Sequence, residues 1–158
     1  NNRASFLGVP NQREEVMGLL SNLFGSKIEY PAIDPDSAAA TRIAELGREL
    51  EELADKVSDR LEVVPSENAA YIFIGKPPAK FGLAWIHDGK VSGLNNLVQD
   101  HGMKPLEVEH VVEELRAAYE QANEVERFST TVKDRAVVVT PSKRLESEVH
   151  KIIERITH

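Results

Sequence analysis

One predicted helix carries a histidine between two glutamates, in the pattern Glu107-x-x-His110-x-x-Glu113. Residues three apart on a helix share a face, so carboxylate and imidazole groups could meet there. Di-iron helical bundles use this spacing, but they need two such motifs and two further glutamates from other helices. The rough counterpart in this chain is Glu146-x-x-x-His150 on the last predicted helix. We therefore interpret the pattern as a solvated helix face and predict no metal and no cofactor.

A second set of residues could bind an anion where the last predicted helix begins. Free N–H groups and the positive end of the helix dipole lie at a helix N-terminus, and two cations follow here. Helix capping by Thr140 and Pro141 explains the same residues without a ligand. The candidate ligand-binding residues of this segment are Thr140, Ser142, Lys143 and Arg144.

Trp85, the only tryptophan, shares one face of a predicted strand with His87, next to the turn Asp88-Gly89. These two side chains could line a small-molecule pocket. Alternatively, Trp85 fills the core while His87 and Asp88 shape the turn. Both interpretations stay open, and Trp85 and His87 are candidate ligand-binding residues.

Known catalytic patterns are missing from the sequence. The chain contains no cysteine, which excludes thiol nucleophiles, thiolate zinc sites and iron–sulfur clusters. The patterns G-x-S-x-G, H-E-x-x-H and G-x-G-x-x-G are also lacking. Carboxylates are numerous, but acid–base catalysis needs buried ones with shifted pKa values. We identify no catalytic residue.

The most informative predicted element is a long helix from Asp36 to Leu61, whose start is marked by Asp34-Pro35. Its apolar residues alternate steps of three and four, which is the pattern of a narrow two-helix seam. The seam consists of Ile43, Leu46, Leu50, Leu53 and Val57. A second copy could bury this seam, and packing on the chain's own sheet is the alternative. We predict a homodimer that forms through this helix.

Short apolar runs rich in β-branched and aromatic residues predict strands near 69–74, 81–87, 90–93 and 135–140. Helical periodicity predicts an amphipathic helix after Asn11, a central helix over 105–123 and a C-terminal helix over 141–156.

These elements predict an α+β fold with two N-terminal helices and a small mixed or antiparallel sheet of about four strands. The runs 71–74 and 137–139 contain no polar residue, so both sheet faces must be covered. We expect one domain over 1–158, with a helical region over 1–62 and an α+β core over 63–158.

Charge excludes two classes of partner. The net charge is −7, and the acids are concentrated: residues 45–62 hold seven acids and three bases, and residues 100–126 hold eight and two. Nucleic acids and anionic membranes both require clustered lysine and arginine. No apolar run approaches the length of about 18 residues that a membrane helix needs. We therefore expect a cytoplasmic protein that binds neither nucleic acid nor membrane.

The sequence favours a non-catalytic regulatory or protein-interaction domain that self-associates through the helix over 36–61. One alternative is a small-molecule sensory domain with a pocket near the sheet hairpin. An acid–base hydrolase is the third.

Overall fold

The computed structural model describes residues 30–122 and 124–157, and these form an α+β fold, as predicted. Its helices are α1 (Ala38–Glu45), α2 (Gly47–Lys56), α3 (Leu94–His101), α4 (Pro105–Gln121) and α5 (Lys143–Thr157). Its strands are β1 (Leu61–Ser66), β2 (Ala69–Lys76), β3 (Lys80–His87), β4 (Lys90–Gly93), β5 (Phe128–Val132) and β6 (Arg135–Val139). The helix predicted after Asn11 lies outside the described residues.

The strands form one mixed sheet in the order β4-β3-β2-β1-β6-β5. All neighbours are antiparallel except β1 and β6, which are parallel. A parallel pair requires a crossover, and the segment that contains α3 and α4 supplies it. This topology brings the last strand, β6, into the sheet between the first strand and the edge strand β5.

The sheet has six strands, so the prediction of about four strands was too low. The two missed strands, β1 and β5, have polar residues within their apolar pattern. β1 includes Glu62 and Pro65, and β5 reads Phe-Ser-Thr-Thr-Val. Threonine nevertheless suits a strand because its branched β-carbon packs well on a pleated surface.

The predicted helix over 36–61 is wrong as a single element, because it divides into α1 and α2 at Leu46 and ends at Lys56. Ser37 is the N-cap of α1, and its hydroxyl accepts a hydrogen bond from the Ala40 N–H over 3.2 Å. An unbroken helix of this length would extend about 38 Å. An eight-residue strand extends only about 27 Å, so the break keeps both helices on the sheet.

Apolar clusters cover both faces of the sheet within a single chain, as the sequence predicted. Helices α3, α4 and α5 pack on one face, where Phe73, Leu83 and Leu115 are completely buried. Helices α1 and α2 cover the other face, where Leu53 and Ile72 are completely buried. The purely apolar runs of the central strands follow from this two-sided burial.

Tight turns join β1 to β2 and β3 to β4 at one end of the sheet. Asp88 and Gly89 both have positive φ, 52° and 72°, which is the backbone that a two-residue hairpin turn requires. Asn68, with φ of 57°, occupies the corresponding turn between β1 and β2. The two turns therefore lie at the same end of the sheet, beside α1.

Candidate functional site

Three of the four residues predicted to bind an anion form hydrogen bonds within the protein. Thr140 is completely buried, and its hydroxyl donates a hydrogen bond to Glu62 Oε2 over 2.6 Å. Ser142 caps α5 because its hydroxyl accepts a hydrogen bond from the Leu145 N–H over 3.1 Å. Lys143 and Arg144 are exposed, and Arg144 donates to Gln121 of α4. Capping and buried contacts therefore account for both hydroxyls of this segment.

Glu62, which the sequence analysis did not single out, forms the centre of a buried polar cluster. Its side chain is only 1% exposed. Besides Thr140, it accepts hydrogen bonds from the Tyr119 hydroxyl over 2.7 Å and from Arg127 Nε over 2.9 Å. We call these four residues the Glu62 cluster. It joins β1, the end of α4, the start of β5 and the β6–α5 junction.

Burial and the adjacent carboxylate determine the electrostatics of this cluster. Burial, together with the charge and hydrogen bond of Glu62, raises the pKa of Tyr119 to about 12. Burial opposes the charge of Arg127, but the hydrogen bond and charge of Glu62 raise the pKa of its guanidinium above the usual value. The phenol therefore stays neutral at physiological pH and acts as a hydrogen-bond donor.

A second polar contact attaches α5 to the sheet. The Tyr71 hydroxyl lies 2.6 Å from His150 Nδ1, and Ser66 Oγ donates to Glu146 Oε2 over 3.1 Å. Burial, together with the charges of Glu146 and Glu154, raises the pKa of Tyr71 to about 12. The phenol therefore keeps its proton at physiological pH, and it donates to the histidine tautomer whose Nδ1 carries no hydrogen.

Among the described residues, the two histidine motifs do not form a cluster of metal ligands. His150 and Glu146 contact strand residues, as described above. His110 is exposed on α4. Within residues 30–122 and 124–157, no group of three or more histidine, aspartate or glutamate side chains is arranged to hold a metal ion.

The structure separates Trp85 from His87. Trp85 is 8% exposed and belongs to the apolar cluster beneath α3, α4 and α5. His87 lies at the strand end with 67% of its side chain exposed, and its Nδ1 is 3.3 Å from Asp88 Oδ2. The two side chains therefore do not line a common pocket.

A shallow depression of about 470 Å³ lies where α1 meets the two hairpin turns. A second depression of about 410 Å³ adjoins it along α1 and shares four of its lining residues. We call the combined feature the hairpin groove. Its charged and larger polar lining residues are Arg42, Glu45, Glu67, Asn68, His87 and Asp88, and Thr41 and Ser66 also line it. Of these, the sequence analysis proposed only His87 as ligand-binding, because nothing in the pattern links α1 to the turns.

The predicted dimer seam packs inside the chain. Ile43, Leu50, Leu53 and Val57 are buried in the apolar cluster between α1, α2 and the sheet. Leu46 is half-buried against the same cluster. The structure thus has the intramolecular packing that was the alternative to the seam. A second copy could contact these side chains only if the helices left the sheet.

The outer surfaces of α4 and α5 differ in charge. Helix α4 has one arginine and no lysine; this residue, Arg116, is half-buried against the β2–β3 loop. The five exposed glutamates of α4 are Glu107, Glu109, Glu113, Glu114 and Glu120. Helix α5 has one exposed acid, Glu154, and two half-buried ones, Glu146 and Glu148. Its four exposed bases are Lys143, Arg144, Lys151 and Arg155. We call the exposed side chains of these two helices the helical surface.

Two contacts fix the relative direction of these helices. Arg144 bonds to Gln121, and Arg155 forms an ion pair with Glu114, so α4 and α5 run in opposite directions. Leu106 at the start of α4 is 65% exposed, and Val98 of α3 is 42% exposed. These are the two exposed large hydrophobic residues among those described.

Comparisons with known proteins give no match to this chain, whether with protein-family models, with curated proteins or with solved structures. Among the helices described above, none has the length and apolar character needed to cross a bilayer. Any functional assignment therefore depends on the geometry of the described residues.

Proposed function

We propose that this chain is a non-catalytic interaction domain that forms a homodimer through the helical surface. The observation that carries the proposal is the difference in charge between the two helices, since α4 has five exposed glutamates and α5 has four exposed bases that outnumber its acids. A two-fold axis would place α4 of one copy opposite α5 of the other, and it would do so twice. The surface is therefore complementary to itself.

The interior supports a non-catalytic role. Tyr119 and Thr140 both donate hydrogen bonds to Glu62 inside the protein, and Tyr71 bonds to His150. A general acid or base must reach a substrate, either directly or through a single water. These groups instead join helices to strands, which is a structural task.

The dimensions of the surface indicate a weak dimer. Helix α4 has 17 residues and is about 25 Å long. Two helices whose axes lie about 10 Å apart present about 500 Å² per copy, or about 1,000 Å² in a dimer. This total lies at the low end for specific interfaces. Exposed ion pairs contribute little individually and are screened by salt, so the dimer should dissociate as ionic strength rises.

Charge exchange between the two helices tests the proposal. The variant Glu109→Lys/Glu120→Lys replaces two acids of α4 with bases, and Lys143→Glu/Lys151→Glu replaces two bases of α5 with acids. We expect each variant alone to be monomeric and their equimolar mixture to form a heterodimer, as measured by sedimentation velocity at low salt. Like charges oppose association in the first two samples and opposite charges favour it in the third.

The matched control is Glu51→Lys/Glu52→Lys, at exposed positions of α2 on the other face of the sheet. It changes the net charge by the same amount as Glu109→Lys/Glu120→Lys. This variant should dimerise like the unmodified chain. The proposal is wrong if the unmodified chain is monomeric at all accessible concentrations in low salt. It is also wrong if mixing the two charge-exchanged variants restores no association.

A further inference from the structure

The hairpin groove carries opposite charges that do not neutralise one another. Arg42 is half-buried on α1, and in the described part of the chain its guanidinium has no hydrogen bond or ion pair. Glu45, Glu67 and Asp88 line the same groove, yet none of their carboxylates forms an ion pair with Arg42. Glu45 lies three residues after Arg42 on α1, whereas Glu67 and Asp88 lie on the two hairpin turns.

From this arrangement we infer that the groove binds a small zwitterionic ligand, such as a free amino acid or a dipeptide. The ligand carboxylate would accept hydrogen bonds from Arg42, whose planar guanidinium suits bidentate contact with a carboxylate. The ligand ammonium group would donate to the acidic side chains across the groove. One molecule would thereby pair charges that the protein leaves apart.

Size and polarity support this class of ligand. A depression of about 470 Å³ lies within the range of small-molecule sites. Its lining is largely polar and its mouth is open, so water competes for every hydrogen bond. We therefore expect millimolar affinity, and we expect a probe with only one of the two charges to bind at least about tenfold more weakly.

The groove is independent of the helical surface, because α1 and α5 belong to different apolar clusters on opposite faces of the sheet. Failure of ligand binding therefore leaves the proposed dimer unaffected. Failure of the dimer likewise leaves the groove unaffected.

Titration of the ¹⁵N-labelled chain, followed by amide chemical shifts, tests the inference. The probes are glycylglycine as the zwitterion, acetate as the anion alone and methylammonium as the cation alone. We expect glycylglycine to cause saturable shifts at Arg42, Asn68 and Gly89, and the single-charge probes to bind at least about tenfold more weakly. The inference is overturned if glycylglycine causes no saturable shift at these residues, or if acetate binds equally well.

Two variants examine the two charges separately. Arg42→Gln should weaken glycylglycine binding at least about tenfold, and Glu67→Gln, across the groove, should weaken it while leaving Arg42 in place. Lys151→Gln, on exposed α5 across the sheet, is the matched control and should bind like the unmodified chain. Amide spectra of each variant verify folding. Unchanged affinity in both groove variants would overturn the inference.

Discussion

Removal of a single hydroxyl from the Glu62 cluster should measurably destabilise the protein. In Tyr119→Phe, the buried carboxylate loses a donor at 2.7 Å but keeps Thr140 and Arg127. A hydrogen bond to a charged group contributes about 1.5–3 kcal/mol. For a chain of this size each kcal/mol corresponds to about 2–4 °C in Tm, so we expect a decrease of about 3–12 °C.

Three further variants measure how much the other hydrogen bonds of the cluster contribute to the free energy of unfolding. Thr140→Val should cost a similar amount, because it removes the donor at 2.6 Å while nearly preserving the side-chain shape. Combined with Tyr119→Phe, it should show a coupling of about 0.5–3 kcal/mol, since both hydroxyls donate to one carboxylate. Glu62→Ala should cost about 3–5 kcal/mol, because it leaves Arg127 without its buried partner.

Urea unfolding at neutral pH, fitted with a common m-value, measures all of these changes. The matched controls are Thr131→Val at an exposed position of β5 and Tyr30→Phe at a half-buried position, and both should lie within about 0.5 kcal/mol of the unmodified chain. The reasoning is refuted if Tyr119→Phe and Thr140→Val are as neutral as these controls.

Three other predictions concern pH, a half-buried arginine and the divided helix. Stability should fall as pH rises from about 10 towards about 12, because the folded state holds the Tyr71 and Tyr119 protons after the unfolded chain has lost them; Tyr71→Phe should remove the Tyr71 share of this decline in urea midpoints. Arg135→Gln should lower the free energy of unfolding by about 2 kcal/mol, since the guanidinium donates to three carbonyls around the end of α2. The control Lys133→Gln loses only an exposed ion pair and should lower the free energy of unfolding by less than about 1 kcal/mol. Leu50→Ala should cost about 2–5 kcal/mol without a change in oligomeric mass; a change in light-scattering mass at unaltered stability would contradict the intramolecular packing.

Local sequence patterns were sufficient to predict several elements of the fold. The predicted strand over 81–87 corresponds closely to β3, and the turn at Asp88 and Gly89 lies where expected. The central helix ends two residues before its predicted end at 123. These elements depend on periodicity and turn chemistry within a short window, which a sequence displays directly.

Long-range polar contacts could not be predicted in the same way. Glu62 and Thr140 are 78 positions apart, and they meet only because β1 pairs with β6 in parallel. The carboxylate also concealed β1, since a charged residue interrupts the apolar pattern of a buried strand. The unusual signal was a glutamate within Leu-Glu-Val-Val, which in retrospect indicates a buried charge with dedicated partners.

The seam on α1 and α2 packs against the protein's own sheet because the second face of that sheet is apolar and must be buried. The side chains of the apolar run of β2 point alternately to the two faces of the sheet, and α3, α4 and α5 cover only one of these faces. The other face would otherwise remain in water at a cost of about 25 cal/mol per Å² of apolar surface. Leu50 and Leu53 satisfy that requirement within the chain, with no loss of translational freedom. The fold therefore explains a seam of this length completely, without a second copy of the chain.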